Sequence, residues 1–164
     1  MDKAIDATMG NGIDTLFLAK KIGTNGKIYA FDIQNKSVQK SKKLFEKNRI
    51  TNKVEILQKS HEKMRDSIPP YWLGKVNVIM FNLGYLPGGD QSIVTKPEST
   101  IKALESSFQF LKKGGLLTII AYRGHKGGEI ESNEVSRWIK KNSGSLKSQA
   151  ILTNNPILHI CEKL

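Results

Sequence analysis

The chain opens with an order of segments that few folds can hold. An apolar run, Lys3 to Thr8, passes directly into a polar loop, Asp6-Ala7-Thr8-Met9-Gly10-Asn11-Gly12. A helix-compatible stretch follows from Asp14 to Ile22, and a second apolar run, Lys27 to Ile33, carries Asp32 near its end. Adjacent parallel strands need a crossover, which this helix supplies, with Gly23 and Gly26 marking the return to the sheet. Gly10 and Gly12 fall where a strand turns into a helix, the place at which backbone comes closest to ligands in doubly wound sheets. Asp32 lies twenty residues beyond Gly12, the spacing at which a carboxylate meets both hydroxyls of an adenosine ribose. Strand, loop, helix, strand and acid in that order predict a nucleoside-cofactor site.

The alternation continues along the chain. Val54 to Gln58, Val76 to Leu83 and Leu116 to Tyr122 read as strands, Ser37 to Asn48 and Glu129 to Asn142 as helices. The clearest helix is expected over about Pro97 to Lys112, where Ile101, Leu104, Phe108 and Leu111 recur at helical spacing. Lys112 and Lys113 would complement the dipole of its last turn, and Gly114 with Gly115 would end it. Lys147 to Leu152 and Ile157 to Glu162 are separated by Thr153, Asn154, Asn155 and Pro156, too few residues for a crossover helix. The expected fold is therefore α/β: a mostly parallel seven-stranded sheet with helices on both faces and a C-terminal antiparallel hairpin.

With 164 residues and no linker, repeat or low-complexity tract, residues 1–164 read as one domain. The single cysteine, Cys161, excludes an internal disulfide framework and a Cys-rich zinc site, and no metal is expected. The longest apolar run, Leu116 to Tyr122, is far too short to span a bilayer, and Met1-Asp2-Lys3 does not begin a signal segment. A cytoplasmic location without membrane association is the expectation.

The loop chemistry narrows the cofactor. A dinucleotide loop calls for a third small residue where Thr15 stands, and Asn11 and Asp14 make this loop polar. Such groups suit a ligand with an amino-acid head. S-adenosylmethionine has one: its ammonium would meet the acidic and carbonyl groups around Asp6 and Thr8, and its carboxylate the helix N-terminus at Gly12. Asp32, with Gln34 beside it, would take the ribose, and Ser60 and His61, just after the third strand, fall where the adenine would lie.

A second polar site is expected at the end of the fourth strand. Asn82 is out of place after the apolar run Val78 to Phe81, and Asn82-Leu83-Gly84-Tyr85 looks like the Asn/Asp-Pro-Pro-Tyr/Phe motif of methyltransferases acting on amino groups of bases. There an amide oxygen and a backbone carbonyl accept the two amine hydrogens while an aromatic ring stacks on the base. Asn82, the Leu83 carbonyl and Tyr85 are the candidates for these roles, with Asn82 also touching the cofactor and Pro87 beside the substrate. The loop Tyr122-Arg123-Gly124-His125-Lys126-Gly127-Gly128 follows the fifth strand on the same edge, so Arg123, His125 and Lys126 are candidates for holding a phosphate or covering the reacting group.

The charge balance points to the partner. Lys and Arg number 26 against 15 Asp and Glu, and ten of the cations lie between Lys36 and Arg65 with three Glu. A polyanion is the natural ligand for such an excess. The residues alone leave two readings open: a methyltransferase acting on a base amine of rRNA or DNA, and a basic RNA-binding module holding no cofactor.

Together DATMGNGIDTLFLA, FDIQ, FNLGYLPGGD, TIKAL and YRGHKGG resemble a family of small bacterial class I methyltransferases described as rRNA methylases, which includes tRNA 5-(aminomethyl)-2-thiouridine methyltransferases. The resemblance implies a Rossmann-like fold, S-adenosylmethionine as cofactor, methylation of the aminomethyl nitrogen on the wobble uridine of tRNA, and a homodimer. It also leads one to expect a family segment ahead of the first strand that these residues lack. Ile13 stands where many members are expected to carry His, and Arg123 where Pro is expected.

Overall fold

The computed structural model describes residues 2–164. Strands β1 (Lys3–Asp6), β2 (Lys27–Phe31), β3 (Val54–Leu57), β4 (Val76–Leu83), β5 (Leu111–Ala121), β6 (Leu146–Leu152) and β7 (Ile157–Lys163) form one sheet in the order β3-β2-β1-β4-β5-β7-β6. Strand β7 runs antiparallel to both its neighbours, and every other pairing is parallel. The expected reversed strand is thus the one inserted between β5 and β6.

Alternation along the strands feeds two cores. Helices α1 (Ile13–Lys21) and α2 (Asn35–Lys47) bury Leu18, Ala19, Val38 and Phe45 against Ala4, Ile28 and Ala30 of the sheet. On the opposite face, α3 (Met64–Ser67), α4 (Pro97–Phe110) and α5 (Gly128–Lys141) pack Met64, Leu104, Phe110, Val135 and Trp138 with Ile5, Ile79, Phe81 and Leu117. Successive residues of β4 serve the two sides in turn, Ile79 and Phe81 in one cluster, Val78 and Met80 against the other. Cys161 of β7 lies opposite Leu117, is 0% exposed, and has its thiol pushed up to about 11 by burial.

The sequence reading needs correction at three places. The fourth helix ends at Phe110 rather than Lys112, and β5 starts at Leu111, so Lys112 to Gly115 belong to the strand. Leu111 is fully buried and pairs with Val76, and the register then shifts between Val76 and Val78, with Gly114 at a φ of 69° in the irregularity. Second, β1 and β2 stop at Asp6 and Phe31, releasing Thr8 and Asp32 from the ladder to face the sheet edge. Third, the segment between β3 and β4, read without elements, folds into the turn His61–Lys63, α3 and a second turn, Pro70–Trp72, which bring Met64, Ile68 and Trp72 into the core. Among the described residues no helix is long and apolar enough to cross a membrane.

Candidate active site

A cleft of about 490 Å³ opens at the C-terminal ends of β1, β2 and β4, beside the point where neighbouring β1 and β4 send their crossovers, α1 and α4, to opposite faces of the sheet. Its walls bring together the two polar sites expected from the sequence. Thr8, Gly10, Asn11 and Asp14 line it from the first loop, Asp32 and Gln34 from the second, Ser60 and His61 from the third, and Asn82, Leu83, Tyr85 and Pro87 from the fourth.

The first loop is fastened from behind. Asp6 is 1% exposed and lies outside the lining: its Oδ1 accepts from the Thr8 N–H at 3.1 Å and its Oδ2 from the Thr15 hydroxyl at 2.6 Å. Burial lifts its pKa to about 6 against the pull of these bonds. Asp6 and Thr15 therefore brace the loop internally instead of facing a ligand's ammonium. Gly12 also stays out of the lining. It caps α1 at a φ of 80°, and a Cβ there would stand 2.7 Å from the Ser41 hydroxyl and 3.0 Å from Phe45, so only glycine lets α1 begin this close to α2. No side chain caps α1, which leaves the N–H groups of its first turn open to an anion.

Asp32 joins the loops. Its Oδ2 accepts from the Gly10 N–H at 2.9 Å and its Oδ1 from the Gln34 N–H at 2.7 Å, and each oxygen keeps a lone pair for a hydroxyl in the cleft. Partial burial raises its pKa while these bonds oppose the rise. His61 is held neutral: burial pushes its pKa down to about 4, and its ring lies 5.7 Å from that of Phe81.

The β4 end is fixed to the first loop by one short bond, Asn82 N–H to the Thr8 hydroxyl at 2.6 Å, leaving the Asn82 side chain exposed in the cleft. The Leu83 carbonyl accepts from the Tyr122 N–H at 3.4 Å, a long bond that leaves acceptor capacity. Gly84, at a φ of 144°, turns the chain so that Tyr85 emerges 43% exposed, its ring edge-on to His125 at 6.1 Å. The loop returns through an isolated bridge between Tyr85 and Val94, and the Asn11 amide reaches the Pro87 carbonyl at 3.4 Å.

Two further residues, not singled out in the sequence, hold this loop. Glu131 of α5 is 1% exposed and accepts from the Thr95 and Thr100 hydroxyls, both at 2.6 Å. The Thr95 hydroxyl accepts in turn from the Gly84 N–H at 2.9 Å, so a chain of bonds runs from the α5 core to the turn beneath Tyr85.

The loop after β5 is used differently from expectation. Arg123 does not line the cleft: its guanidinium donates to the Thr153 and Asn154 carbonyls of the β6–β7 turn, and its N–H to the Asn155 side chain. His125 stands behind Tyr85, with its Nε2 buried within reach of Gly84 and Gly128, and Lys126 is exposed outside the lining. Turn carbonyls are strong acceptors near in space but distant in sequence, so the pattern alone gave no sign of Arg123's partners.

This sheet order, with its reversed β7 and a cleft at the carboxyl edge of β1, β2 and β4, is that of class I methyltransferases. The family described as "Putative rRNA methylase" matches residues 28–155, and the chain belongs to it. A chloroplastic tRNA (mnm(5)s(2)U34)-methyltransferase of Arabidopsis thaliana is 38% identical over 79% of this chain and 50% of its own length, so the chain spans about half of that relative. A Clostridium thermocellum structure of the same description superposes with a TM-score of 0.92 at 37% identity, covering 99% of this chain and 89% of that one. A Streptococcus mutans "putative methyltransferase" in complex with SAH gives 0.85 at 30% identity, covering 100% and 89%.

S-adenosylmethionine is the cofactor that the family and the SAH-bound relative indicate. The cleft fits that cofactor on its own chemistry. Asp32 keeps open lone pairs for ribose hydroxyls, the uncapped start of α1 suits a carboxylate, and Ile33 and Leu86 supply apolar wall for a purine.

Proposed function

We propose that the chain methylates the aminomethyl nitrogen of 5-aminomethyl-2-thiouridine at the wobble position of tRNA, giving 5-methylaminomethyl-2-thiouridine. The observation that carries this reading is an exposed amide, Asn82, and an exposed ring, Tyr85, side by side at the mouth of the cofactor cleft. The name of the Arabidopsis relative supports it. The Asn82 Oδ1 and the spare lone pair of the Leu83 carbonyl accept the two hydrogens of the amine and aim its lone pair inward. Tyr85, steadied by His125, offers a face to the pyrimidine, and Pro87 borders it.

The cofactor, when bound, supplies an electrophilic methyl group on a sulfonium. The amine nitrogen would take that methyl as the carbon–sulfur bond breaks, its electron pair would stay with sulfur, and the nitrogen would shed one proton to water. A primary alkyl amine titrates near 10.4, so freeing its lone pair at pH 7 costs about 4–5 kcal/mol. Desolvation lowers such a pKa by up to about 3–5 units, and a neighbouring positive charge acts in the same direction. Positioning and exclusion of water then do the work of a strong base. His125 fits this division, since its buried Nε2 faces the loop backbone.

Purified protein incubated with methyl-labelled cofactor and tRNA carrying or lacking the aminomethyl group, followed by nucleoside mass spectrometry, tests the reading. Label should enter the carrying tRNA alone, at a rate rising from pH 6 to pH 9. Asn82→Ala should lower turnover at least 100-fold, the scale of losing a positioned polar contact at a reacting centre, with cofactor affinity held within a few-fold. Labelling of unmodified rRNA with a flat pH profile would instead assign a base amine, and full turnover by the variant would remove Asn82 from the mechanism.

A further inference from the structure

The cleft accounts for few of the chain's cations, and α2 carries four in a single stripe. Lys36, Lys40, Lys43 and Lys47 are spaced by four, three and four residues, and all are exposed. At 100° per residue they share an arc of about 60°, and at 1.5 Å per residue they extend over about 16 Å. The opposite side of α2 buries Ser37, Val38, Ser41 and Phe45, which fixes the stripe outward. The ion pairs among the described residues, Lys102 with Glu62 and Arg137 with Glu134, include none of the four.

Helix stability does not explain this arrangement. Like charges at i,i+3 and i,i+4 repel, and the first turn of α2 holds Lys36 and no acid, the reverse of what a helix N-terminus favours. Glu46, the single acid of the helix, lies about a quarter-turn from the stripe. One end of the stripe is anchored at the active site: the Lys36 Nζ donates to the Gly88 carbonyl at 3.3 Å, next to Pro87 on the cleft wall. Lys59 adds a cation to the wall itself.

The geometry points to the Lys36–Lys40–Lys43–Lys47 stripe as a phosphate track, along which one strand of the substrate RNA runs away from the nucleotide held at Tyr85. Cations about 4–6 Å apart along a straight line match the repeating charge of a nucleic-acid backbone. An acidic protein surface or an anionic membrane would not call for a line that starts at the catalytic mouth. The inference rests on the RNA substrate proposed above and adds where that RNA lies.

The test leaves Lys36, and so the Gly88 contact, intact. Lys40, Lys43 and Lys47 are changed to Gln together, and a control changes Lys113, Lys140 and Lys141, exposed lysines of β5 and α5. Binding of a fluorescent tRNA anticodon stem–loop carrying 5-aminomethyl-2-thiouridine is followed by anisotropy over a salt series. The stripe variant should lose at least about tenfold in affinity at 0.1 M salt, and its log–log salt slope should shrink by about 2 to 3. The control should stay within about twofold, and calorimetric cofactor affinity should be the same in all three proteins. Equal losses in stripe and control, an unchanged slope, or binding to phosphatidylserine vesicles in preference to RNA would overturn the track. Methylation of the same RNA, read separately, distinguishes the two ideas: stripe-dependent binding without methyl transfer overturns the substrate reading alone, and methyl transfer with a stripe-independent slope overturns the track alone.

Discussion

Asp32 and Glu131 are both acids that hold a loop, yet only one was visible in the sequence. Asp32 stands at a fixed distance from a glycine loop in a short strand–helix–strand unit, so its role follows from spacing. Asp32→Ala removes the acceptor of the Gly10 and Gln34 N–H groups as well as the partner of the ribose, and cofactor affinity should fall at least tenfold by calorimetry. Unchanged affinity would reject the ribose assignment. Glu131 gives no local signal, because its partners Thr95 and Thr100 are 36 and 31 residues away. Its replacement by Ala leaves the buried Thr100 hydroxyl and the half-buried Thr95 hydroxyl without an acceptor and lowers stability by about 1–3 kcal/mol. Because Thr95 also holds Gly84, KM for RNA should rise or kcat fall while cofactor affinity stays within about threefold. Glu131→Gln, which keeps one acceptor, should recover part of the activity; a loss of stability with unaltered kinetics would make Glu131 a structural residue only.

At the level of single elements, α2 shows two demands in conflict. Lys40 has like-charged neighbours at Lys36 and Lys43 on the same exposed side. Lys40→Gln should therefore stabilise the protein by about 0.5–1 kcal/mol, a rise in Tm of about 1–4 °C that shrinks in 1 M salt. A fall in Tm would show that Lys40 makes a favourable contact in solution. Elements were largely legible because apolar periodicity changes sharply between strand and helix, and the reversed β7 followed from a connection too short for a crossover. The junction at Phe110 was not legible, since Lys-Lys-Gly-Gly is the composition of a helix ending. There the burial of Leu111 against Val76 overrides the local signal. The short α3 was missed for the opposite reason, having too few residues to display a period.

Across the whole molecule, two buried groups oppose each other in their response to acid. His61 titrates at about 4 when folded and about 6.5 when unfolded, so between those values the unfolded chain takes up a proton that the folded chain refuses, and stability falls as pH falls. Asp6 titrates at about 6 when folded and near 3.8 when unfolded, so the folded chain takes up the extra proton over an overlapping window and stability rises as pH falls. The two slopes, each up to about 1.4 kcal/mol per pH unit, largely cancel between pH 4 and 6. Thermal melts of the cofactor-free protein should separate them. Asp6→Asn should lose Tm more steeply than the parent from pH 7 to pH 4, whereas His61→Phe should gain relative to it. Variants that run parallel to the parent at every pH would exclude both assignments.

Cys161 gives the sheet its own clock. A thiol fully enclosed between β7 and the α4–α5 side, and weakly acidic besides, offers neither access nor thiolate to an alkylating reagent. Each molecule can therefore be labelled only after the α4–α5 layer parts from β7, and the single cysteine makes the record unambiguous. Slow alkylation under native conditions counts those openings without a spectroscopic probe, and its retardation by added cofactor reports, from the far side of the sheet, how firmly the occupied cleft holds β1 and β4 together.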